Sequence, residues 1–300
     1  MQIKGHAIKR VRVNAPLVFS KILSPSIVEI NGQALAFFGG VLKGDFRSHV
    51  YVGKLNFSCN NNAMELIQIN KIEMSLPANR QHDGICPSHV FKLDNKIFIE
   101  TASFVLNPMP TSPTGAVPYR IQSDIFELSA ASFLVTHKSS LTFFDDSPHL
   151  FECGASVDTK NSYQYFVHGT EFLLDSCRQK YVPSYRMLRR KLEISDGVKI
   201  EPVLDETFYE KNFGVSRITF HGDFGYFAAR KLWNHSGNIT EVYQIDGQRT
   251  VPQMPERMHH LTGLNFPQVY EHASGLYCFG SLGHMGAGGI GSLKIEMNAQ

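Results

Sequence analysis

Long apolar runs, clustered cations and paired cysteines are all scarce in this chain of 300 residues. No stretch approaches the roughly 18 to 20 apolar residues that cross a bilayer as a helix, and the opening Met1-Gln2-Ile3-Lys4-Gly5-His6 has no apolar signal core, so no membrane partner is expected. Lys and Arg number 29 against 27 Asp and Glu, a formal charge of +2 without a basic run. Phosphate backbones are bound by clustered cations, so nucleic acid is not an expected partner either. Cys59, Cys86, Cys153, Cys177 and Cys278 are odd in number, widely spaced and contain no C-x-x-C, which argues against a zinc ribbon or a disulfide framework. Reduced thiols in a cytoplasm are the expectation, with no metal and no cofactor. No helical periodicity runs through the chain, which argues against a doubly wound α/β fold. The rest is ordinary globular composition: 43% apolar, 24 Gly and 14 Pro exclude disorder and collagen-like repeats. A chain of this length buries roughly 75% of its unfolded surface, so its core needs no covalent staple.

What the sequence does contain is an internal repeat. A small residue, a proline and alternating apolar residues recur as Ser24-Pro25-Ser26-Ile27-Val28, Cys86-Pro87-Ser88-His89-Val90, Ser147-Pro148-His149-Leu150-Phe151 and Phe266-Pro267-Gln268-Val269-Tyr270. Val215-Ser216-Arg217-Ile218-Thr219 is a fifth copy without the proline. After each copy comes a polar turn, namely Asn31-Gly32, Asp94-Asn95, a longer one over 153–162, Gly222-Asp223 and Ala273-Ser274. Each turn leads into a second apolar run, at 34–40, 96–102, 163–169, 225–231 and 275–281, so every unit opens as a hairpin. Third runs follow at 49–55, 118–126, 185–192, 241–245 and 289–296, and fourth-strand candidates at 65–73, 132–137 and 199–204.

Four strands per unit is the pattern of a propeller blade. The predicted fold is all-β, a five-bladed β-propeller in a single domain over 1–300, with blades at about 16–75, 76–138, 139–206, 207–258 and 259–300. The last unit stops after its third strand, and a spare alternating strand over 6–13 precedes the first, so the N-terminal strand is expected to complete the last blade and close the ring. A β-sandwich with a small second domain, or a ring of six blades, are the alternative architectures.

In a propeller the first strand of each blade lines the central axis, so the repeated motifs mark a funnel. The polar residues there are Ser24 and Ser26; His82, Asp83, Ser88 and His89; Asp145, Asp146 and His149; Arg217; and Asn265 and Gln268. That set is richer in charge than packing requires, because unpaired buried charge is costly.

The repeated motif, the segment His82-Asp83-Gly84-Ile85-Cys86-Pro87-Ser88-His89-Val90, Asp145-Asp146-Ser147-Pro148 and Ser195-Asp196-Gly197 together resemble the five-bladed propeller glycosidase superfamily, especially glycoside hydrolase family 43. The resemblance spans nearly the whole chain. It implies a base Asp opening blade one, a pKa-tuning Asp in blade two and an acid Glu in blade three. These positions fall on Ser24, Ser88 and Asp146, and only the last keeps a carboxyl group, while Asp83 lies on the approach to the channel. Glycoside cleavage needs two carboxyl groups roughly 5 to 10 Å apart. Asp146 is therefore assigned as general acid and Asp83 as base. Arg217 is assigned to bind substrate or stabilise charge, with His82, Ser24, Ser88, His89, Asp145, His149 and Gln268 as further substrate-binding positions.

Each residue also has a purely structural reading. Asp83 suits a turn, Asp145 and Asp146 suit the start of a strand, His89 and His149 suit inner-strand positions, and Arg217 suits an ion pair with either acid. The segment 283–291 is glycine-rich but has no Gly-Lys-Ser/Thr ending and no following helix, so it reads as a turn and not a phosphate loop. Phe46, Tyr119 and Trp233 are aromatics with the chemistry to stack on sugar rings. The leading function is a carbohydrate-active enzyme that cleaves or transfers a glycosyl group of an oligosaccharide or small molecule in the funnel. The alternatives are a non-catalytic glycan-binding or scaffolding propeller, and a different small-molecule reaction in the same funnel.

Overall fold

The computed structural model describes residues 3–5, 8–57, 63–76, 84–106, 119–142, 154–158, 162–175, 180–193, 201–202, 213–215, 219–221, 224–231, 239–246, 256–262, 264–283 and 286–297. Every regular element among them is a strand, in five consecutive sheets. The chain opens with β1 (Ile3–Gly5) and β2 (Lys9–Arg10). The first sheet holds β3 (Arg12–Val13), β4 (Phe19–Ile30), β5 (Gln33–Leu42), β6 (His49–Phe57) and β7 (Met64–Lys71). The second is the meander β8 (Gly84–Leu93), β9 (Lys96–Leu106), β10 (Tyr119–Leu128) and β11 (Val135–Thr142). The third is β12 (Gly154–Asp158), β13 (Tyr163–Asp175), β14 (Lys180–Lys191) and β15 (Glu201–Pro202). The fourth places β16 (Phe213–Val215) and β17 (Thr219–His221) beside β18 (Phe224–Lys231), followed by β19 (Ile239–Asp246) and β20 (Glu256–Thr262). The fifth is β21 (Leu264–His272), β22 (Gly275–Leu282) and β23 (Gly289–Met297), with β1 and β2 on the outer edge of β23.

The hairpins follow from turn chemistry. Asn31 and Gly32 have φ of 51° and 71°, and Asp94 and Asn95 have 48° and 61°, so both two-residue loops are of the type whose twist matches the strands they join. Between them Ile30 pairs with Gln33 and Leu93 with Lys96, as the alternation of the flanking residues requires.

The prolines explain the repeat. Proline has no N–H to give a ladder, so inside a sheet it belongs at a bulge or an edge. The β4–β5 register shifts between Leu23 and Ser26, β8–β9 between Pro87 and His89, and β21–β22 between Asn265 and Gln268. In two copies the residue after the proline then reaches into the neighbouring sheet. Ser26 Oγ accepts a hydrogen bond from Val90 N at 3.0 Å. Gln268 Oε1 accepts one from Ile27 N at 2.7 Å while its Nε2 donates to Ile27 O at 3.1 Å. The first strands touch in the cycle β4, β8, β12, β17, β21 and back to β4.

Between sheets lie the cores. Sheets five and one enclose Ile22, Ile27, Phe38, Tyr51, Leu66, Tyr277, Phe279 and Ile290. Sheets one and two enclose Ile30, Leu35, Phe37, Val50, Val52, Ile85, Val90, Ile97, Ile99 and Leu128. The other face of sheet two carries Phe91, Phe98 and Ile125, with Leu192 at the end of sheet three packed on them.

Three local expectations are corrected. A single N-terminal strand over 6–13 is predicted, but β1 and β2 pair antiparallel with β23 whereas β3 pairs parallel with β7, so the segment ties sheet five to sheet one. Val11, 1% exposed, drives the crossing: its N–H reaches Ile290 O at 2.9 Å and its side chain enters the core between the two sheets. The long turn expected over 153–162 contains β12, whose Ala155-Ser156-Val157 alternation pairs with β13; the proline motif at 147–151 lies outside the described residues. Strands β11 and β20 run on to Thr142 and Thr262, past the predicted sheet limits at 138 and 258.

Candidate functional site

The strand β5 ends, and β4 and β8 begin, at one end of the molecule. The loop between β5 and β6 belongs to this end, because Ser48 O accepts from Ile85 N at 3.0 Å at the start of β8. Gly84 is packed so closely on Ser48 that a Cβ there would collide with its Oγ, and Cys86 Sγ donates to the same oxygen at 3.4 Å. Asp83 immediately precedes this fixed point.

Of the predicted site residues, His82, Asp83, Asp145, Asp146, His149 and Arg217 lie outside the described residues. The others are held by the fold. Ser24 sits in the β4 bulge with φ of 48°, and its N–H donates to Ser281 Oγ at 3.0 Å. Ser88 is buried in the corresponding bulge of β8. Half-buried His89 stacks on Phe91, ring centroids 5.9 Å apart, and is paired in register with Glu100. Gln268 uses both ends of its amide on Ile27, so the position assigned to substrate is a clamp between first strands. The segment 283–291, expected as a turn, is strand β23 from Gly289 on; of the connection before it Gly283 and 286–288 are described, with Gly286 pressed against Ile22 O of sheet one.

Sequence reasoning passed over Glu100. Its carboxylate is fully buried between sheets two and three. Oε1 accepts a hydrogen bond from Ser123 Oγ at 2.5 Å, while Oε2 has no partner. Gln164 from β13 stands close enough to lower the pKa, yet its Nε2 also lacks a partner; its Oε1 accepts from Arg190 Nε at 2.7 Å. Burial dominates and pushes the Glu100 carboxyl up to about 7, with Asp124 adding to the rise and Ser123, Gln164 and Arg190 opposing it. The available signal was a carboxylate in the apolar run Ile97-Phe98-Ile99-Glu100-Thr101-Ala102, on the same strand face as Phe98 and Ala102.

A second polar group on sheet two has catalytic residue types without catalytic geometry. Ser140 Oγ donates to Asp124 Oδ1 at 2.7 Å, and His137 Nε2 lies 3.2 Å from Asp124 Oδ1 and 2.9 Å from Ser140 Oγ. Both partners meet the same ring nitrogen, so His137 does not relay a proton between a serine and an acid on opposite nitrogens. Among the described residues no three His, Cys, Asp or Glu side chains converge as metal ligands.

No protein-family model matches this chain, and no curated protein does. Solved structures do. The chain is similar to an α-L-arabinofuranosidase from Lactobacillus brevis, at 11% identity and a TM-score of 0.57 over 93% of this chain and 91% of that one. It is similar to an exo-1,5-α-L-arabinanase from a bovine ruminal metagenomic library, at 10% identity and a TM-score of 0.55 over 94% of each chain. It is also similar to the GH43_1 enzyme from Xanthomonas citri in complex with xylose, at 13% identity and a TM-score of 0.53 over 94% and 89%. At these identities the likeness is one of fold, an all-β architecture shared with these glycoside hydrolase structures.

Proposed function

We propose that the chain is a single five-bladed propeller, closed by its N-terminal segment, that cleaves or transfers a glycosyl group in its central funnel. The observation that carries this reading is the fold shared with glycoside hydrolases over more than nine-tenths of this chain. The cycle of contacts among the first strands and the pairing of β1 with β23 support closure. Asp146 is proposed as general acid and Asp83 as base, with Arg217, His82, His89, Asp145 and His149 about them. The two acids belong to segments leading into the first strands of sheets two and three. One carboxyl group delivers a proton to the departing glycosidic oxygen, and the other either takes a proton from the water that attacks the anomeric carbon or itself bonds to that carbon in an intermediate that water or an acceptor then releases.

One observation favours a second reading, a glycan-binding propeller without turnover. Ser24 and Ser88 occupy two positions at which the resemblance implies carboxylates, and both are built into strand bulges. A panel of aryl glycosides separates the readings. Turnover by the wild type that falls about 100-fold or more in Asp146→Asn and in Asp83→Asn supports the enzyme. No turnover, with sugar binding in calorimetry, supports the binding module.

A further inference from the structure

Three large apolar side chains are exposed among the described residues, and two of them meet at one loop at the end of the molecule where β4 and β8 start: Phe46, 96% exposed, within the β5–β6 loop, and Val18, 63% exposed, at its base. Lys43 N donates to Val18 O at 2.8 Å and Asp45 N to Leu42 O at 3.0 Å, closing the base of the loop. Asp45 Oδ1 accepts from Phe46 N at 2.7 Å and Arg47 N at 3.0 Å, and its Oδ2 lies 3.5 Å from His49 Nε2. The Arg47 N–H holds the Asp45 carboxyl below the usual carboxylate range, with Phe46 N–H and His49 acting in the same direction. Beyond Arg47 the chain is tied through Ser48 to the start of β8. A phenylalanine gains nothing from water, and here the backbone that carries it is pinned on both sides.

We infer that Phe46, carried on a pinned loop, is a platform on which a sugar ring stacks outside the funnel, so that the ligand is an oligosaccharide and not a single sugar. An aromatic face takes the apolar C–H face of a pyranose or furanose ring, and a backbone held before binding leaves only the ring's own torsions to be ordered on contact. The Asp45 clamp holds the backbone at Phe46 and Arg47, and Ser48 ties the same loop to the start of the strand that Asp83 precedes. This inference rests on the proposed carbohydrate function and adds the length of the ligand to it.

The test is an array of plant and bacterial oligosaccharides with their constituent monosaccharides, probed with wild type, Phe46→Ala and Phe46→Trp, each checked for unchanged melting. The expected result is oligosaccharide binding about tenfold weaker in Phe46→Ala, recovered in Phe46→Trp, with monosaccharide binding and aryl monoglycoside turnover unaltered. Equal oligosaccharide binding by wild type and Phe46→Ala overturns the platform and leaves the carbohydrate function standing. A wild type that binds no glycan on the array overturns that function and the platform together.

Discussion

Sheet two has two faces, and they are joined to their neighbours by different physics. Toward sheet one the seam is apolar: Phe37, Val50 and Ile99 are at 0% exposure, and the hydrogen bond from Val90 N to Ser26 Oγ crosses at its edge. Toward sheet three, Phe91, Phe98 and Ile125 share the seam with Glu100, Ser123, Gln164 and Arg190, all buried. The first seam draws its stability from area removed from water and is insensitive to pH. The second encloses a carboxyl group that favours its neutral form, so its strength depends on protonation. One sheet thus shows that equal burial does not imply equal chemistry.

The largest expected effect breaks the dry seam. Phe37→Ala removes a ring from a closely packed apolar layer and is expected to lower stability by about 3 to 5 kcal/mol at any pH, read by chemical denaturation. The next sharpens the contrast. Because the folded state holds the Glu100 proton up to about 7 while the unfolded chain releases it near 4.5, the contribution of Glu100 to stability is fully present below 4.5 and is lost as pH rises to about 7. That loss is about 3 kcal/mol. Glu100→Gln is expected to remove this slope, making the variant more stable than wild type above about pH 7; an unchanged slope would show that Glu100 does not titrate in this range. The smallest effect is at the edge of the dry seam, where Ser26→Ala leaves Val90 N without its acceptor, at a cost of about 1 to 3 kcal/mol and no pH dependence.

The contrast also shows what could be read in advance. The hairpins were legible, because Asn31-Gly32 and Asp94-Asn95 are turn residues whose preference is local, and the alternation on either side fixes the register. The repeat was legible because its motif recurs in the linear sequence, while the strand bulges at Leu23–Ser26, Pro87–His89 and Asn265–Gln268 show only in the register. The role of the residue after the proline was not. Ser26 and Gln268 were read as facing a funnel, and the structure turns both toward a neighbouring sheet to bind Val90 and Ile27. The path of the N-terminal segment was half legible: a strand for β23 was foreseen, but not the switch at Val11 onto β7.

The sequence by itself determined most of the strands, the two-residue turns and the grouping into units of similar pattern, because each of these depends on residues within a few positions of one another. Only the tertiary structure decided which polar side chains latch sheets together, that the Glu100 carboxyl group is sealed in a seam, and that Phe46 stands in water on a pinned loop. Those outcomes depend on what a neighbouring sheet presents at the same height, and the partners of Glu100, Ser26 and Gln268 come from distant parts of the chain.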